Sequence, residues 1–341
     1  MNTPIARDLP LVDLHRHLDG TVRLQTVLEI GREHGIALPA DTVEGLRPYG
    51  QVQGVAPSLM DFIAKFELLK LAFVDEDAIA RIAEENIEDA YREGIDYIEL
   101  RMSPAFMGER YGLDPTRVLR ACCRGVRAGT AKWPVRANLI GIMSRHLGEE
   151  RCAQELEAAI ACMGDGVVGI DLAGDEANFP GSRFVSHFRR AREAGLRVTV
   201  HAGEAAGAAS VRQAIEELGA ERIGHGVRVV EDPEVLRLVR ERGICLEQCP
   251  TSNVQTSTVP SYAAHPLPAL LRAGVCISLA SDDPGISAID LPHEYRVAHD
   301  ELGLTPEELR QLQLNGVRAA FLSEAEKQEL LDAAARRAQA A

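Results

Sequence analysis

Short apolar runs rich in Val, Ile and Leu recur along the chain, each followed by a polar or glycine-bearing cluster and then by a helical pattern. The runs at residues 11–17, 97–101, 135–142, 167–172, 197–201, 222–225, 244–247 and 276–279 predict eight strands. Helix starts fall between them. Asp114-Pro115 and Asp232-Pro233 each pair an N-cap with proline at the first helical position. Ser210 followed by Gln213 reads as a capping box opening a helix through Val211, Ala214, Ile215 and Leu218. Thr305-Pro306-Glu307-Glu308 starts a late helix, and Ser323 caps a last, solvated one over residues 323–341. Serial alternation of near-continuous apolar strands with helices implies a parallel sheet covered by helices. Eight repeats favour a closed (β/α)8 TIM barrel. No G-x-G-x-x-G follows a strand, which argues against an open dinucleotide-binding sheet. The stretch 37–90 between strands one and two carries extra helices and reads as a lid over the barrel mouth, within a single domain spanning 1–341.

Bulk composition narrows the partners. The 341 residues suffice for one such barrel. Lys and Arg number 37 against 51 Asp and Glu, a net charge of −14. That balance repels a phosphate backbone, and no basic pocket for an anion stands out. Nucleic acid is therefore excluded as an expected partner, and a neutral small molecule fits. No window approaches the apolar length of a membrane span, and residues 1–10 lack the basic and apolar regions of a signal peptide. The expected compartment is the cytoplasm; oligomeric state leaves no signal in the sequence. Seven cysteines without zinc-finger spacing are expected as reduced, mostly buried thiols, with Cys245 and Cys249 as packing residues.

In a barrel of this kind the active site lies at the C-terminal ends of the strands. Strand one ends in His15-Arg16-His17, and residues two apart on a strand face one point while the residue between faces away. Strand five ends in His201-Ala202-Gly203-Glu204, strand six in Gly224-His225-Gly226 and strand eight in Ser281-Asp282-Asp283-Pro284. Zinc takes imidazole nitrogen and carboxylate oxygen, and a catalytic zinc keeps one position open. His15, His17, His201 and Asp282 supply three nitrogens and an oxygen. Strand four has no lysine to bridge a second metal, so one Zn2+ per chain is expected. His225 is then free either to hold or to deprotonate the water that the zinc activates. Glu204 is placed for a general acid. Gly174 lets a ligand approach the backbone closely. Asp283 stands beside Asp282 but must point elsewhere, towards substrate.

Taken together, the motifs at residues 15–20, 97–104, 171–176, 201–204, 224–227, 249–253 and 281–284 make the chain resemble the adenosine deaminases, the bacterial ones in particular. The resemblance implies a one-zinc barrel with His15, His17, His201 and Asp282 as ligands. It implies Glu204 as the acid at purine N1 and His225 as the residue that activates water for attack on C6. Gly174 would be the backbone donor to N3 and Asp283 the partner of N7. Asp19 would hold the ribose 5′-hydroxyl, with His17 also touching substrate and Phe62 and Phe66 covering it from the lid. Related adenine deaminases tend to carry Glu at the Asp19 position, so Asp19 favours a ribosylated substrate. The implied reaction converts adenosine and 2′-deoxyadenosine to inosine and 2′-deoxyinosine plus ammonia, in purine salvage. The alternative is adenine, another aminated purine or a pterin on the same scaffold. A two-metal hydrolase would need more ligands, and a non-catalytic scaffold would not retain both Glu204 and His225. Ala280 departs from the Asn or Ser more usual there, which bears on the positioning of Asp282. The H-x-E and P-C-x-x-C motifs of cytidine-type deaminases are absent.

Overall fold

The computed structural model describes residues 4–56 and 59–340. Strands β1 (Val12–His17), β2 (Tyr97–Met102), β3 (Arg136–Ser144), β4 (Val167–Ala173), β5 (Arg197–Ala202), β6 (Arg222–His225), β7 (Cys245–Gln248) and β8 (Cys276–Leu279) pair in chain order, all parallel. The ring closes just beyond β8. Asp282 N donates to His15 O at 2.8 Å and His17 N donates to Asp282 O at 2.7 Å, a parallel bridge from β1. This is the expected (β/α)8 barrel. Strands β3, β4 and β5 run one or two residues past their predicted ends, carrying the sheet further into the functional face.

Most predicted helix starts are found. Asp114 accepts from Arg117 N, Asp232 from Glu234 N and Val235 N, and Thr305 forms a full capping box with Glu308. Ser210 is a correction. It lies inside the helix Ala208–Gln213, which begins after Gly207, and Gln213 instead accepts from Ser182 N at 3.0 Å. The preceding loop amides are bound by Glu176, which starts the helix earlier than the Ser-x-x-Gln spacing suggested. The final helix Glu324–Ala340 is capped by Ser323, which accepts from Glu326 N; Ala341 lies outside the described residues. Between β1 and β2 the chain forms the helices Leu24–Glu33, Val43–Gly50, Leu59–Ile63, Phe66–Leu69 and Glu76–Glu93; Pro57 and Ser58, within the predicted 37–90 insert, lie outside the described residues. No helix among the described residues is long and apolar enough to cross a membrane. All seven cysteines are free thiols, six of them buried, and Cys245 and Cys249 are packed inside.

The barrel interior departs from the apolar reading. Tyr97, Glu99 and Arg101 alternate along β2 and meet Arg222 from β6 and Glu247 from β7, all buried. Arg222 donates to Glu99 Oε2 at 2.5 Å and to Glu247 Oε1 at 2.6 Å. Arg101 donates to Glu247 Oε2 at 2.8 Å and to Asp171 Oδ2 at 2.9 Å. The Arg222 guanidinium also stacks 3.6 Å from the Phe321 ring centroid. Burial disfavours a charge on Glu247, but Arg101 and Arg222 outweigh it and hold that carboxyl well below the usual range. Arg16 faces away from His15 and His17, pairing with Glu93 at 2.5 Å and donating to Ser281 Oγ at 2.9 Å.

Removing one partner of a buried charge cluster leaves the others uncompensated. Arg222→Met is expected to lose about 3–5 kcal/mol of stability, read from the midpoint of urea unfolding at constant slope. A loss below about 1 kcal/mol would show that the cluster is a passenger in the barrel.

Candidate active site

At the C-terminal mouth the side chains of β1, β5 and the segment after β8 converge. His15 Nε2 and His17 Nε2 each lie 3.3 Å from Asp282 Oδ1, and His17 Nε2 lies 3.3 Å from His201 Nε2. The other ring nitrogens of two of these histidines are held from behind. His15 Nδ1 is 2.8 Å from Glu247 Oε2, and His201 Nδ1 is 2.8 Å from Asp171 Oδ2. A carboxylate at Nδ1 takes up the ring hydrogen and leaves Nε2 bare, the arrangement found behind metal-ligating histidines. His15 Nε2 is fully buried and has no hydrogen-bond partner. Ligand atoms of His15, His201, His225 and Asp282 lie within 4.8 Å of one another, and those of His17, Asp282 and Asp283 form a second such group. Burial pushes His201 well below the ordinary imidazole range, so it is neutral. Burial raises Asp282, but the neighbouring rings of His225, His15 and His17 outweigh it and hold the carboxyl well below its usual range. The donor set fits a divalent metal.

Backbone strain accompanies this geometry. Asp282 has φ 61° and His225 has φ 60°, in the left-handed region that non-glycine residues rarely adopt. Closure bonds on both sides of Asp282 hold it there. Gly224 in β6 leaves room for His15: a Cβ there would sit 2.8 Å from His15 Cε1.

The centre opens into a cleft of about 100 Å³, lined by His17, Asp19, Glu204, His225 and Asp283 and, among others, by Gly174, Phe62, Phe66 and Phe106. Burial, reinforced by Asp282 and Glu176, raises the Glu204 carboxyl to about 8, so it is protonated at neutral pH. Its loop is fixed by Glu176, whose carboxylate accepts from the N–H groups of Gly203, Glu204, Ala205 and Ala206 at 2.7–3.1 Å. Burial and the neighbouring carboxylates Asp282, Asp19 and Glu204 raise Asp283 well above its usual range, although His17 opposes this. Among the described residues Asp283 Oδ1 and Asp19 Oδ1 are buried without hydrogen-bond partners, the latter 3.7 Å from His17 Nδ1, while Asp19 Oδ2 accepts from Ser103 N at 3.2 Å. Gly174 ends β4 with φ 98°, and a Cβ there would meet His146 Nδ1 at 2.5 Å. His225 Nε2 stands 3.7 Å from Glu204 Oε2 and 3.9 Å from Asp282 Oδ2.

The predicted site residues other than His15 thus line one cleft, and His15 stands behind it against Asp282 and Gly224. The sequence reading missed the residues behind them: Glu247, Asp171, Glu176, Arg101, Asn253 and His265. A signal existed for Glu247, a carboxylate directly after the apolar run Ile244-Cys245-Leu246, and for Arg101, two residues from Glu99 on the same face.

A parallel eight-stranded barrel with a buried histidine–aspartate centre at its C-terminal mouth defines a hydrolase barrel of the metal-dependent kind. Comparison with known proteins narrows the class. The sequence profile of the adenosine deaminase family matches residues 10–336, and the chain belongs to that family. It is 51% identical over 331 residues to the adenosine deaminase of Shewanella loihica, covering 97% of this chain and 100% of that one. It is 52% identical over 324 residues to that of Serratia proteamaculans, covering 95% and 97%. Among solved structures, an adenine deaminase from Arthrobacter aurescens superposes with a TM-score of 0.88 at 28% identity, covering 97% of this chain and 99% of that one. An Arabidopsis N6-mAMP deaminase superposes with a TM-score of 0.84 at 28% identity, covering 96% and 98%.

Because His15 is wedged between Glu247 and Gly224, Gly224→Ala should displace its ring without touching a donor atom. Metal affinity is expected to fall about 10–100-fold, measured by competition with a chromogenic chelator, while far-UV circular dichroism stays unchanged. An unaltered affinity would mean that the ring position does not depend on this close approach.

Proposed function

We propose that the protein is a zinc-dependent hydrolase that deaminates adenosine and 2′-deoxyadenosine, releasing inosine or 2′-deoxyinosine and ammonia, in cytoplasmic purine salvage. The observation that carries this reading is a set of buried polar atoms that lack hydrogen-bond partners among the described residues, on two sides of one site: His15 Nε2 behind the cleft, and Asp19 Oδ1 and Asp283 Oδ1 at its lining residues. One wall asks for a cation and the other for a polar, uncharged ligand. His15, His17, His201 and Asp282 would hold one zinc, which when bound supplies Lewis-acid activation of water near neutral pH.

The chain's own groups account for the rest of the chemistry. Hydrolysis adds a water oxygen at C6, places a proton on N1 and expels the exocyclic amine as ammonia. Glu204, kept protonated by burial, donates to N1 and makes C6 electrophilic. Asp283, also kept neutral, donates its O–H to N7. The Gly174 N–H serves N3, and the absence of a Cβ there leaves room for the His146 ring beside it. Asp19 Oδ1 accepts from the ribose 5′-hydroxyl. Phe62, Phe66 and Phe106 pack on the ring and exclude water, with the 37–90 helices acting as a lid. Asp19 would repel a 5′-phosphate, which argues against a nucleotide substrate of the kind named for the Arabidopsis structure. Adenine is the second reading, and Asp19 disfavours it by giving the ribose a partner.

Three measurements test the proposal. The absorbance change of adenosine to inosine is expected with purified enzyme, lost on chelation and restored by zinc; equal or faster turnover of adenine would overturn the nucleoside assignment. Glu204→Gln is expected to retain zinc and lose about 10²–10⁴ in rate, since an amide cannot pass on a proton. Glu204 is the reactive acid below about 8 and a carboxylate above it. kcat/KM should therefore be flat at neutral pH and fall about tenfold per pH unit on the alkaline side, a limb absent in Glu204→Gln.

A further inference from the structure

We propose that Asn253 and His265 are positioning residues that lock His225 in the tautomer with its hydrogen on Nε2, so that His225 meets the cleft as a hydrogen-bond donor. The proposal refines the deaminase reading above and rests on it for its kinetic arm. His265 precedes Pro266, and the first amide of the helix Leu267–Arg272 that still carries a hydrogen is that of Leu267. Leu267 N donates to His265 Nδ1 at 3.2 Å. A backbone N–H only donates, so His265 Nδ1 is bare. Burial, with His225 nearby, pushes the His265 ring down to about 4, so it is neutral and carries its hydrogen on Nε2. That nitrogen lies 3.1 Å from Asn253 Oδ1 and donates to it. The Asn253 amide is thereby oriented, and Nδ2 donates to His225 Nδ1 at 3.0 Å. Turning the amide over would require His265 to be bare on both nitrogens, which a neutral imidazole cannot be.

Among the described residues no group other than Asn253 hydrogen-bonds to His225 Nδ1. Glu204 and Asp282 lie on the Nε2 side at 3.7 and 3.9 Å. The rings of His15 and His201 stand at centroid distances of 4.8 and 5.1 Å. Asn253 is itself buried, and its backbone is held on both sides: its N–H donates to Cys249 O, and its carbonyl accepts from Val259 N, both at 2.9 Å. Gln248 Nε2 donates to the His225 carbonyl and fixes that backbone too. The histidines of the cleft therefore divide by what stands behind Nδ1. His15 and His201 have a carboxylate there and present a bare Nε2. His225 has an amide N–H there and presents N–H. Of the two roles open to His225, holding the attacking oxygen fits this tautomer, and deprotonating it does not.

The test is the ring itself. In zinc-loaded enzyme labelled with ¹⁵N-histidine, long-range ¹H–¹⁵N correlation is expected to show His225, assigned by its loss in His225→Gln, with hydrogen on Nε2 and a bare Nδ1. Asn253→Asp presents only acceptors, so the hydrogen should move to Nδ1; kcat should drop about 10²-fold with KM little changed and zinc retained, as for loss of a donor used in the transition state. His265→Gln, whose amide can still donate to Asn253, should keep the wild-type ring signature, whereas His265→Ala should mix the two tautomers. A wild-type His225 carrying its hydrogen on Nδ1 overturns the proposal, whatever the variants do. If the wild-type signature stands but adenosine is not turned over, the deaminase reading fails and the tautomer assignment survives.

Discussion

Closing the barrel and building its metal centre are one act of folding. The two backbone hydrogen bonds that join the last strand to the first run between His15, Asp282 and His17. The peptide groups that seal the ring therefore belong to three residues of the histidine–aspartate centre. Their side-chain separations of 3.3 Å follow from that pairing rather than from loop packing. Asp282 accepts a left-handed backbone, a strain of roughly 1–3 kcal/mol, because bonds on both its amide and its carbonyl leave it no alternative.

Beneath the centre, the barrel interior is ionic, and its charges are arranged to reach upward. Glu99, Asp171 and Glu247 face Arg101 and Arg222, three carboxylates against two guanidiniums. The surplus negative charge ends on the two carboxylates that touch His15 and His201. Those histidines thus become better ligands for a cation through partners that never meet it. Glu176 does the equivalent for the acid. By collecting four backbone N–H groups it freezes the loop bearing Glu204, which keeps that carboxyl in the low-dielectric position that leaves it protonated.

What the sequence revealed divides along the same line. The eight strands, most helix starts and the histidines and acids at the strand ends were legible because each depends on local pattern: apolar runs, proline after Asp, histidines two apart; Asp19, Phe62 and Phe66 were reached only through the family resemblance. The groups behind them were not. Glu247 meets His15 across 232 residues, and Asn253 reads as one more polar residue after Cys249-Pro250 until His265 stands opposite it. Strand periodicity predicts which way a side chain points but not which strands share the barrel axis, so a buried Glu99 or Arg222 looks like a solvated charge. Ser210 failed for a related reason: a capping signal competes with tertiary bonds, and Glu176 had already organised the amides before it.

The cleft is rich in carboxyl groups, yet it is not a site for cations alone. Asp282 stays ionised beside three imidazoles, whereas Glu204 and Asp283 are pushed towards their neutral forms by burial and by the Asp282 charge. Neighbouring acids thereby acquire opposite forms from their surroundings, one an anion facing imidazoles and two able to donate a hydrogen bond. A purine ring offers acceptors at N1, N3 and N7, and two neutral carboxyl groups with one backbone N–H would meet all three. Such recognition fails for an anion, which would lose hydration and find no compensating cation. It therefore accounts for a strongly acidic protein whose substrate is an uncharged nucleoside.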